Sequence, residues 1–208
     1  MRHKTKALIT GISGFAGSHL AEFLLKKDIA VHGIVRWRSN IANLEECKNS
    51  ISLHEADLLD AHSLYTAIEE VQPHYVFHLA AQKSVRDSVV DPVKDMRINV
   101  EGTINLLVCA KSAGVQKIVY SSSGGAVYGD VSLIPTPEET PCDPVSPYGT
   151  SKLAGEYYVR VFAALGGPLP VILRYANVYG PRQDPYGEAG VVAIFAKKML
   201  ENEQPVIN

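Results

Sequence analysis

Short apolar runs alternate with longer amphipathic segments along the chain. Short apolar runs bounded by glycine or polar residues are typical of buried strands, whereas apolar residues at helical spacing predict helices. The pattern predicts six strands, Ala7–Thr10, Ala30–Arg36, Ile51–His54, Tyr75–Leu79, Lys117–Ser121 and Val171–Tyr175. It predicts five helices, Phe15–Lys27, Leu59–Val71, Pro92–Ala113, Tyr148–Leu165 and Gly190–Leu200. The stretch Gly124–Pro147 carries five prolines and is predicted to be mostly irregular.

Strands that alternate with helices predict a parallel sheet covered by helices on both faces, the doubly wound α/β class. The length of 208 residues suits one such domain, or one domain with part of a second.

Composition argues against several kinds of partner, namely nucleic acid, membranes and metal ions. Hydrophobic residues make up 46%, charged residues 20%, and the net charge of -2 gives no reason to expect nucleic acid or membrane partners. The odd number of cysteines, without close spacing, argues against a disulfide framework and against a zinc site, so we expect no metal. The basic start of the chain leads directly into a strand, with no signal peptide or spanning segment, so a cytoplasmic location is expected.

A glycine-rich turn follows the first predicted strand and opens the first helix. Gly11 allows a tight turn, Gly14 lets backbone N–H groups approach a pyrophosphate, and Gly17 lets the helix pack closely on the strand. Phe15 and Ala16 lie at the helix N-terminus, where partial positive charge favours phosphate. The spacing is GxxGxxG, and the alternative is a glycine turn without a ligand. The strand–turn–helix context favours a dinucleotide.

The type of dinucleotide depends on the end of the second strand. An acidic residue is expected there to bind the ribose 2′-OH of NAD, but Val35 is followed by Arg36, Trp37 and Arg38. Two arginines can bind a 2′-phosphate, which favours NADP(H); the alternative is that both are surface charges.

Asp57 and Leu58 follow the third predicted strand. Their position favours a contact with the adenine amino group, with Asp57 as a cap of the helix at Ala61–Val71 as the alternative.

Tyr148 and Lys152 are four residues apart on one predicted helix and therefore share a face. A tyrosine is a poor base at neutral pH, but a nearby ammonium lowers its pKa. Ser123 lies just past the end of the fifth predicted strand, where open α/β sheets bind ligands, and its hydroxyl could bridge Tyr148 and a substrate hydroxyl. An ordinary amphipathic helix is the alternative. With the glycine loop, the set predicts oxidation of a hydroxyl group.

Several motifs in this order resemble the extended short-chain dehydrogenase/reductase family, in its NAD-dependent epimerase/dehydratase branch. The motifs are Thr10–Gly17 (TGISGFAG), His78–Ala81 (HLAA), Ser121–Gly129 (SSSGGAVYG), Ser146–Lys152 (SPYGTSK) and Leu173–Pro181 (LRYANVYGP). The resemblance covers the whole chain, and Asn177–Phe195 is especially similar to UDP-glucose 4-epimerases. It implies a Rossmann fold, a nucleotide-sugar substrate, bound NAD(H), and a homodimer that pairs the helices at Pro92–Ala113 and Tyr148–Leu165.

The resemblance also implies a role for single residues. Tyr148 would be the base, Lys152 would tune its pKa and bind the ribose, and Ser123 would position the sugar hydroxyl. The cofactor would also meet the backbone of Leu79, Ala80 and Ala81, and Tyr175; Ser84 and Asn177 would touch the substrate. His78 receives no chemical role, because a core histidine is the simpler interpretation. The implied reaction oxidises the sugar 4-OH transiently, rotates the 4-keto sugar and reduces it on the other face.

Two departures from the family pattern leave alternatives open. Dehydratases of this branch usually carry an Asp-Glu pair where this chain has Gly124, Gly125 and Ala126, which favours epimerisation over dehydration. The segment Val31–Arg36 instead resembles GDP-mannose dehydratases, which favour NADP. Family members usually continue into a substrate-binding domain, so we expect residues 1–176 to form the NAD(P)-binding domain and 177–208 to begin a largely missing substrate region. A sister dehydratase or keto-reductase, or an NAD(P)-binding module without turnover, remains an alternative.

Overall fold

The computed structural model describes residues 4–186 and 190–206. Six strands form one parallel sheet in the order β3-β2-β1-β4-β5-β6. They are β1 Lys6–Thr10, β2 Ala30–Val35, β3 Ile51–Glu55, β4 Tyr75–His78, β5 Lys117–Ser123 and β6 Leu169–Tyr175. This is the strand order of the Rossmann fold, in which strands are added to one side of β1 up to β3 and to its other side from β4 onwards. The carboxyl ends of β1 and β4 therefore border a crevice that can bind a ligand.

Helices cover both faces of the sheet. The α-helices are α1 Phe15–Lys26, α2 Ala61–Val71, α3 Val85–Val90, α4 Pro92–Met96, α5 Gly102–Ser112, α6 Gly124–Val127, α7 Pro147–Ala164 and α8 Val191–Leu200. Two 3₁₀ turns, Ala42–Leu44 and Lys48–Ser50, lie between β2 and β3, and a π-helical turn, Arg97–Glu101, joins α4 to α5.

The core consists of two apolar layers, one on each side of the sheet. Leu8 of β1 points into the layer formed with α2, α5 and α7, whereas its neighbours Ala7 and Ile9 point into the layer formed with α1. Successive strand residues point to opposite faces, so a strand covered on both sides is apolar at consecutive positions. This explains the unbroken apolar run in β1 and confirms the predicted fold class.

Strand ends differ from the prediction at the edge that carries the site. β5 runs two residues further than predicted, so Ser123 is its last residue rather than a residue past its end, and it pairs with Tyr175 of β6. β6 begins at Leu169, two residues earlier than predicted. Proline at position 170 is tolerated there because β6 is an edge strand.

Helical segments also differ from the prediction. The single helix predicted at Pro92–Ala113 is interrupted by the π-helical turn. Such a turn keeps the chain helical, so the apolar pattern did not reveal it. The helices Val85–Val90 and Gly124–Val127 were not predicted. Residues 187–189, part of the epimerase-like segment Asn177–Phe195, lie outside the described residues.

Candidate active site

The glycine turn lies at the carboxyl end of β1 and is shaped by close backbone contacts. Gly11 has φ of +72°, and a Cβ there would lie 2.8 Å from the backbone nitrogen of Ala80. A Cβ at Gly17 would lie 2.2 Å from the carbonyl oxygen of Gly11, so α1 packs on the turn at a distance that only glycine permits. Gly14 is the N-cap of α1, which places the N–H groups of Phe15 and Ala16 at the start of the helix. The turn therefore fits a pyrophosphate at the helix N-terminus.

A cavity of about 650 Å³ opens beside this turn, at the ends of β2 and β3 and the start of α2. Arg36, Arg38 and Asp57 all line it, so the structure brings these three predicted residues together. Glu55 and Asp60 line it as well. The arginines after β2 alone favour NADP(H), but β3 and the residues that follow it add carboxylates to the same cavity. The arginines are therefore balanced by acidic groups.

The residues after β3 have different roles from those considered in the sequence. Asp60, not Asp57, caps α2 by accepting hydrogen bonds from two backbone N–H groups of its first turn. The alternative role of Asp57 as the cap is therefore wrong; its carboxylate accepts from the N–H of Leu59 at 2.8 Å. The Leu58 side chain is buried in the core, and its carbonyl accepts from the Asn105 amide at 2.9 Å. Any contact of Leu58 with a cofactor has to come from its backbone.

His78 is a buried core histidine, as the simpler interpretation held, and its hydrogen bonds fix its tautomer. The Thr103 hydroxyl donates to the Asn99 carbonyl at 2.6 Å, so it accepts from Nε2 of His78 at 3.0 Å. Nδ1 of His78 then accepts from the Thr10 hydroxyl at 2.8 Å, and that hydroxyl accepts from the N–H of Ala80 at 3.2 Å. This chain of hydrogen bonds joins β1, β4 and the π-helical turn.

The turn after β4 runs beside the glycine turn. The N–H of Leu79 donates to the carbonyl of Thr10 at 3.2 Å, and Ala80 and Ala81 follow. The Asn99 side chain then holds the backbone of Gln82 on both sides, accepting from its N–H at 2.9 Å and donating to its carbonyl at 3.0 Å. The predicted contacts of this turn with a cofactor are therefore compatible with its position.

The predicted catalytic residues lie at the carboxyl edge of the sheet. Ser123 ends β5, and α7 begins nearby with the Ser146 side chain as its cap. Tyr148 is in the first turn of α7, where its backbone N–H donates to the Ser88 hydroxyl of α3 at 3.1 Å. Lys152 follows one turn later on the same face. The order and spacing of these side chains match the arrangement expected for a proton acceptor with a nearby ammonium.

Lys152 is a buried ammonium. The residue is 5% exposed, and its Nζ lies 4.8 Å from the centre of the Tyr120 ring. Burial lowers the pKa of Lys152 to about 8, although the carboxylates of Asp95 and Glu156 act in the opposite direction. Burial, and secondarily the charge of Lys152, lower the pKa of His78 to about 3, so His78 is neutral beside it.

Glu156, one turn beyond Lys152, forms the centre of a second polar cluster. Arg174 of β6 contacts both of its carboxylate oxygens, at 2.9 and 2.7 Å, and the Ser122 hydroxyl donates to it at 2.5 Å. Burial favours the neutral form of Glu156, but these hydrogen bonds outweigh burial and lower its pKa. Arg174 also donates to the Tyr128 hydroxyl at 2.8 Å. The cluster ties the ends of β5 and β6 to the helix that carries Tyr148 and Lys152.

The remaining predicted site residues are Ser84 and Asn177, for the substrate, and Tyr175, for the cofactor. Ser84 caps α3, where its hydroxyl accepts from a first-turn N–H at 3.0 Å. Tyr175 ends β6, and Asn177 is exposed two residues later. The chain then returns to α1, where Arg182 donates to Glu22 at 2.5 Å. Contacts of Ser84 and Asn177 with a substrate, and of Tyr175 with the cofactor, remain predictions.

Five polar residues of the site were not identified from the sequence: Gln82, Asp95, Asn99, Glu156 and Arg174. Glu156 continues the four-residue spacing of Tyr148 and Lys152, and Asp95 and Asn99 are likewise four residues apart in the predicted helix Pro92–Ala113. These three residues could therefore have been identified from their spacing in the sequence. The partners of Gln82 and Arg174 are distant in sequence and could be found only from the fold.

Two further findings concern the residues at 4–186 and 190–206. Within them, no three His, Cys, Asp or Glu side chains form a group that could hold a metal ion. No helix in these ranges is both long and apolar enough to cross a membrane.

Comparison with solved structures extends the resemblance beyond the sequence motifs. The UDP-glucose 4-epimerase of Thermotoga maritima, solved with UDP-glucose, has 42% identity and a TM-score of 0.91, over 98% of this chain and 65% of that one. The Thermus thermophilus UDP-glucose 4-epimerase complex with NAD has 43% identity and a TM-score of 0.89, over 97% and 64%. Both similarities therefore extend over nearly all of this chain.

Sequence comparison identifies the family. The UDP-glucose 4-epimerase of Mycolicibacterium smegmatis is 46% identical over 198 residues, which are 94% of this chain and 63% of that protein. The chain thus spans somewhat less than two thirds of the length of these relatives. The profile of the NAD dependent epimerase/dehydratase family matches residues 7–208. The protein described above is therefore a member of the NAD-dependent epimerase/dehydratase family.

Proposed function

We propose that this chain carries the cofactor and catalytic residues of a nucleotide-sugar 4-epimerase that interconverts UDP-glucose and UDP-galactose. The observation that carries the proposal is the placement of Ser123, Tyr148 and Lys152 at the carboxyl edge of the sheet, next to a turn that fits a pyrophosphate. The similarity to UDP-glucose 4-epimerases supports the choice of substrate.

Tyr148, Ser123 and Lys152 would each have a different role in the reaction. A bound nicotinamide would accept the hydride from C4 of the sugar and would later give it back to the same carbon. Tyr148, as phenolate, takes the proton of the sugar 4-OH, and Ser123 holds that hydroxyl in place. The Lys152 ammonium favours the phenolate. After the 4-keto sugar has rotated, Tyr148 returns the proton to the oxygen at C4, so that protons and electrons balance over the cycle.

We propose NAD(H) as the cofactor. The Thermus relative was solved with NAD, and Glu55, Asp57 and Asp60 line the cavity together with Arg36 and Arg38. A 2′-phosphate would add negative charge to a cavity that already holds three carboxylates. The arginines, taken alone, would favour NADP(H), and the two interpretations predict opposite orders of affinity.

A sister reaction is less well supported than epimerisation. Elimination of water needs a further acid and base on the substrate. Gly124, Gly125 and Ala126 of the first turn after β5 offer neither. A binding module without turnover is the other alternative, since the chain spans only part of the length of its relatives.

A homodimer and a cytoplasmic location complete the proposal. Exposed apolar side chains on α5 and α7, namely Val108, Tyr157 and Val161, support pairing of these helices with those of a second copy. Cys47, Cys109 and Cys142 are all free thiols, which is consistent with a reducing compartment.

Turnover by the chain tests the proposal. The 208-residue protein is incubated with NAD and UDP-, GDP- or dTDP-sugars, and proton NMR follows the C4 epimers. We expect conversion of UDP-glucose and UDP-galactose, and a loss of at least about 10²-fold in Tyr148→Phe, as is typical for an acid–base group. Tyr65→Phe removes an exposed phenol on α2 and serves as the matched control. Equal turnover in Tyr148→Phe and the parent would contradict the assignment.

A further inference from the structure

Asp95 is a buried carboxylate that the proposed reaction does not use. It is 1% exposed and is the penultimate residue of α4, just before the π-helical turn. Its Oδ1 accepts from the amide nitrogens of Gln82 at 2.9 Å and Asn99 at 3.1 Å. Its Oδ2 is buried and has no hydrogen-bond partner among the described residues.

A buried carboxylate in this state needs a reason, because it is costly unless a positive charge lies nearby. Glu156 has such a charge in direct contact, since Arg174 binds both of its oxygens. None of the ion pairs between described residues involves Asp95. Lys152 is also buried, and it too is in none of the ion pairs between described residues.

The groups near Lys152 differ in charge, and Asp95 is one of the two carboxylates among them. Tyr120 presents its ring from β5, and burial together with nearby negative groups raises the pKa of that phenol, so it stays neutral. His78 of β4 is neutral. Burial lowers the pKa of Lys152, and Asp95 is the first of the two carboxylates that oppose this effect, Glu156 being the second.

A hydrogen-bond path also connects Asp95 with the catalytic helix. The Asn99 amide nitrogen, which contacts Asp95, lies 3.1 Å from the Ser151 hydroxyl, and its two hydrogens are shared among Asp95, Ser151 and the Gln82 carbonyl. That hydroxyl donates to the carbonyl of Tyr148 at 2.9 Å. Ser151 precedes Lys152, so the path ends on the backbone between the two catalytic residues. π-helical turns frequently occur at functional sites, and this one brings Asn99 to the path.

We propose that Asp95 is a positioning residue for the Tyr148–Lys152 pair: its carboxylate keeps Lys152 charged, and through Asn99 it holds the first turn of α7 in place. The inference rests on the proposed function in taking this pair as catalytic. Asp95 would thus affect the ionisation of Lys152 without contact with the reacting sugar or the cofactor.

Direct titration of Lys152 tests the inference independently of turnover. Lysine labelled with ¹³C at Cε is incorporated into the chain, and the Lys152 signal is assigned by its absence in Lys152→Arg. Asp95→Asn removes the charge and keeps the Oδ1 acceptor. We expect the Lys152 titration to move to lower pH by roughly half a unit or more, the low end of the effect of a nearby opposite charge. Asp28→Asn is the control, an equal charge change at an exposed turn after α1.

Turnover then separates the failure of this inference from the failure of the proposed function. With activity present, Asp95→Asn should bring the alkaline decline of kcat to lower pH and leave KM nearly unchanged. An unmoved Lys152 titration in a folded Asp95→Asn protein overturns the inference, whether or not UDP-sugars react. If Asp95→Asn does not fold, Asp95→Ser, also neutral and smaller, is titrated instead, and the same two outcomes decide.

Discussion

At the scale of single residues, the site depends on buried polar groups whose hydrogen bonds form directed chains. Thr103 shows this best: its hydroxyl donates to Asn99 and accepts from His78, so it satisfies two buried groups at once. Such positions tolerate change poorly, because a lost partner leaves a buried donor or acceptor unsatisfied.

Thr103→Val should therefore destabilise the protein although its shape is nearly unchanged. We expect the free energy of unfolding to fall by about 1–3 kcal/mol, the cost of unsatisfied buried groups. Urea unfolding of the parent and the variant measures the difference. Thr66→Val removes an exposed hydroxyl on α2 that bonds only its own helix, and it should cost clearly less. Equal losses in the two variants would show that the chain through His78 contributes nothing.

The shared helix face of Tyr148 and Lys152 could be predicted from the sequence because their spacing is local; their catalytic role stays a prediction. Tyr148 and Lys152 are four residues apart, so one helix places them on the same face. The residues that support them come from elsewhere: Arg174 lies on another strand, and Asp95 lies before the π-helical turn. Their partners are fixed by the packing of distant segments, which hydrophobic periodicity does not contain.

At the scale of elements, the close approach of α1 to the glycine turn is the most constrained feature. A Cβ at position 17 would overlap the Gly11 carbonyl, which is backbone and cannot turn aside. In Gly17→Ala the helix has to move away from the turn. We expect NAD affinity to fall by at least about tenfold, since overpacking of this kind costs about 1–3 kcal/mol. Calorimetric titration with NAD measures it.

The matched control for this variant is Gly125→Ala. A Cβ at position 125 meets open space, and the residue has no left-handed backbone conformation. Its NAD affinity should equal that of the parent. If Gly17→Ala binds NAD as well as Gly125→Ala does, the glycine turn is not the pyrophosphate site.

The ends of β2 and β3 together decide the choice of cofactor. We expect NAD(H) to bind more tightly than NADP(H), because carboxylates of β3 and α2 balance the two arginines. The double variant Arg36→Ala/Arg38→Ala should change NAD affinity by less than about fivefold, the scale of exposed charges. Titration calorimetry with both cofactors checks this. Tighter binding of NADP(H), lost in the double variant, would restore the preference that the arginines alone suggest.

Strands and helices with a regular apolar pattern along their whole length were predicted from the sequence. Features that depend on pairing between strands were missed. β1 and α1 follow their apolar patterns closely. Glu55 was not considered at the cavity because it belongs to β3, and only the pairing of Val35 with Glu55 brings it beside the arginines. The extension of β5 to Ser123 likewise depends on its pairing with β6.

At the scale of the whole molecule, the exposed faces of α5 and α7 predict association. Val108, Tyr157 and Val161 are each more than half exposed, although Leu107 beside them is fully buried in the core. We expect light scattering at micromolar concentration to give about twice the mass of the 22.6 kDa chain. Val161→Lys should shift the mass towards the monomer, since it places a charge in an apolar interface.

The control for association is Phe23→Lys, which changes an exposed apolar residue on α1, on the other side of the sheet. It should leave the mass unchanged. A parent protein that remains monomeric across a tenfold dilution series would count against the dimer, whatever the variants do.

In the proposed reaction, hydride leaves C4 of the sugar and returns to the same carbon. The most direct measurement uses UDP-glucose with deuterium at C4, the 208-residue chain and NAD, with the product analysed by NMR and mass spectrometry. We expect UDP-galactose that keeps its deuterium at C4, because Tyr148 exchanges only the hydroxyl proton. Replacement of that deuterium by solvent hydrogen, or no conversion at all while NAD is bound, would contradict it.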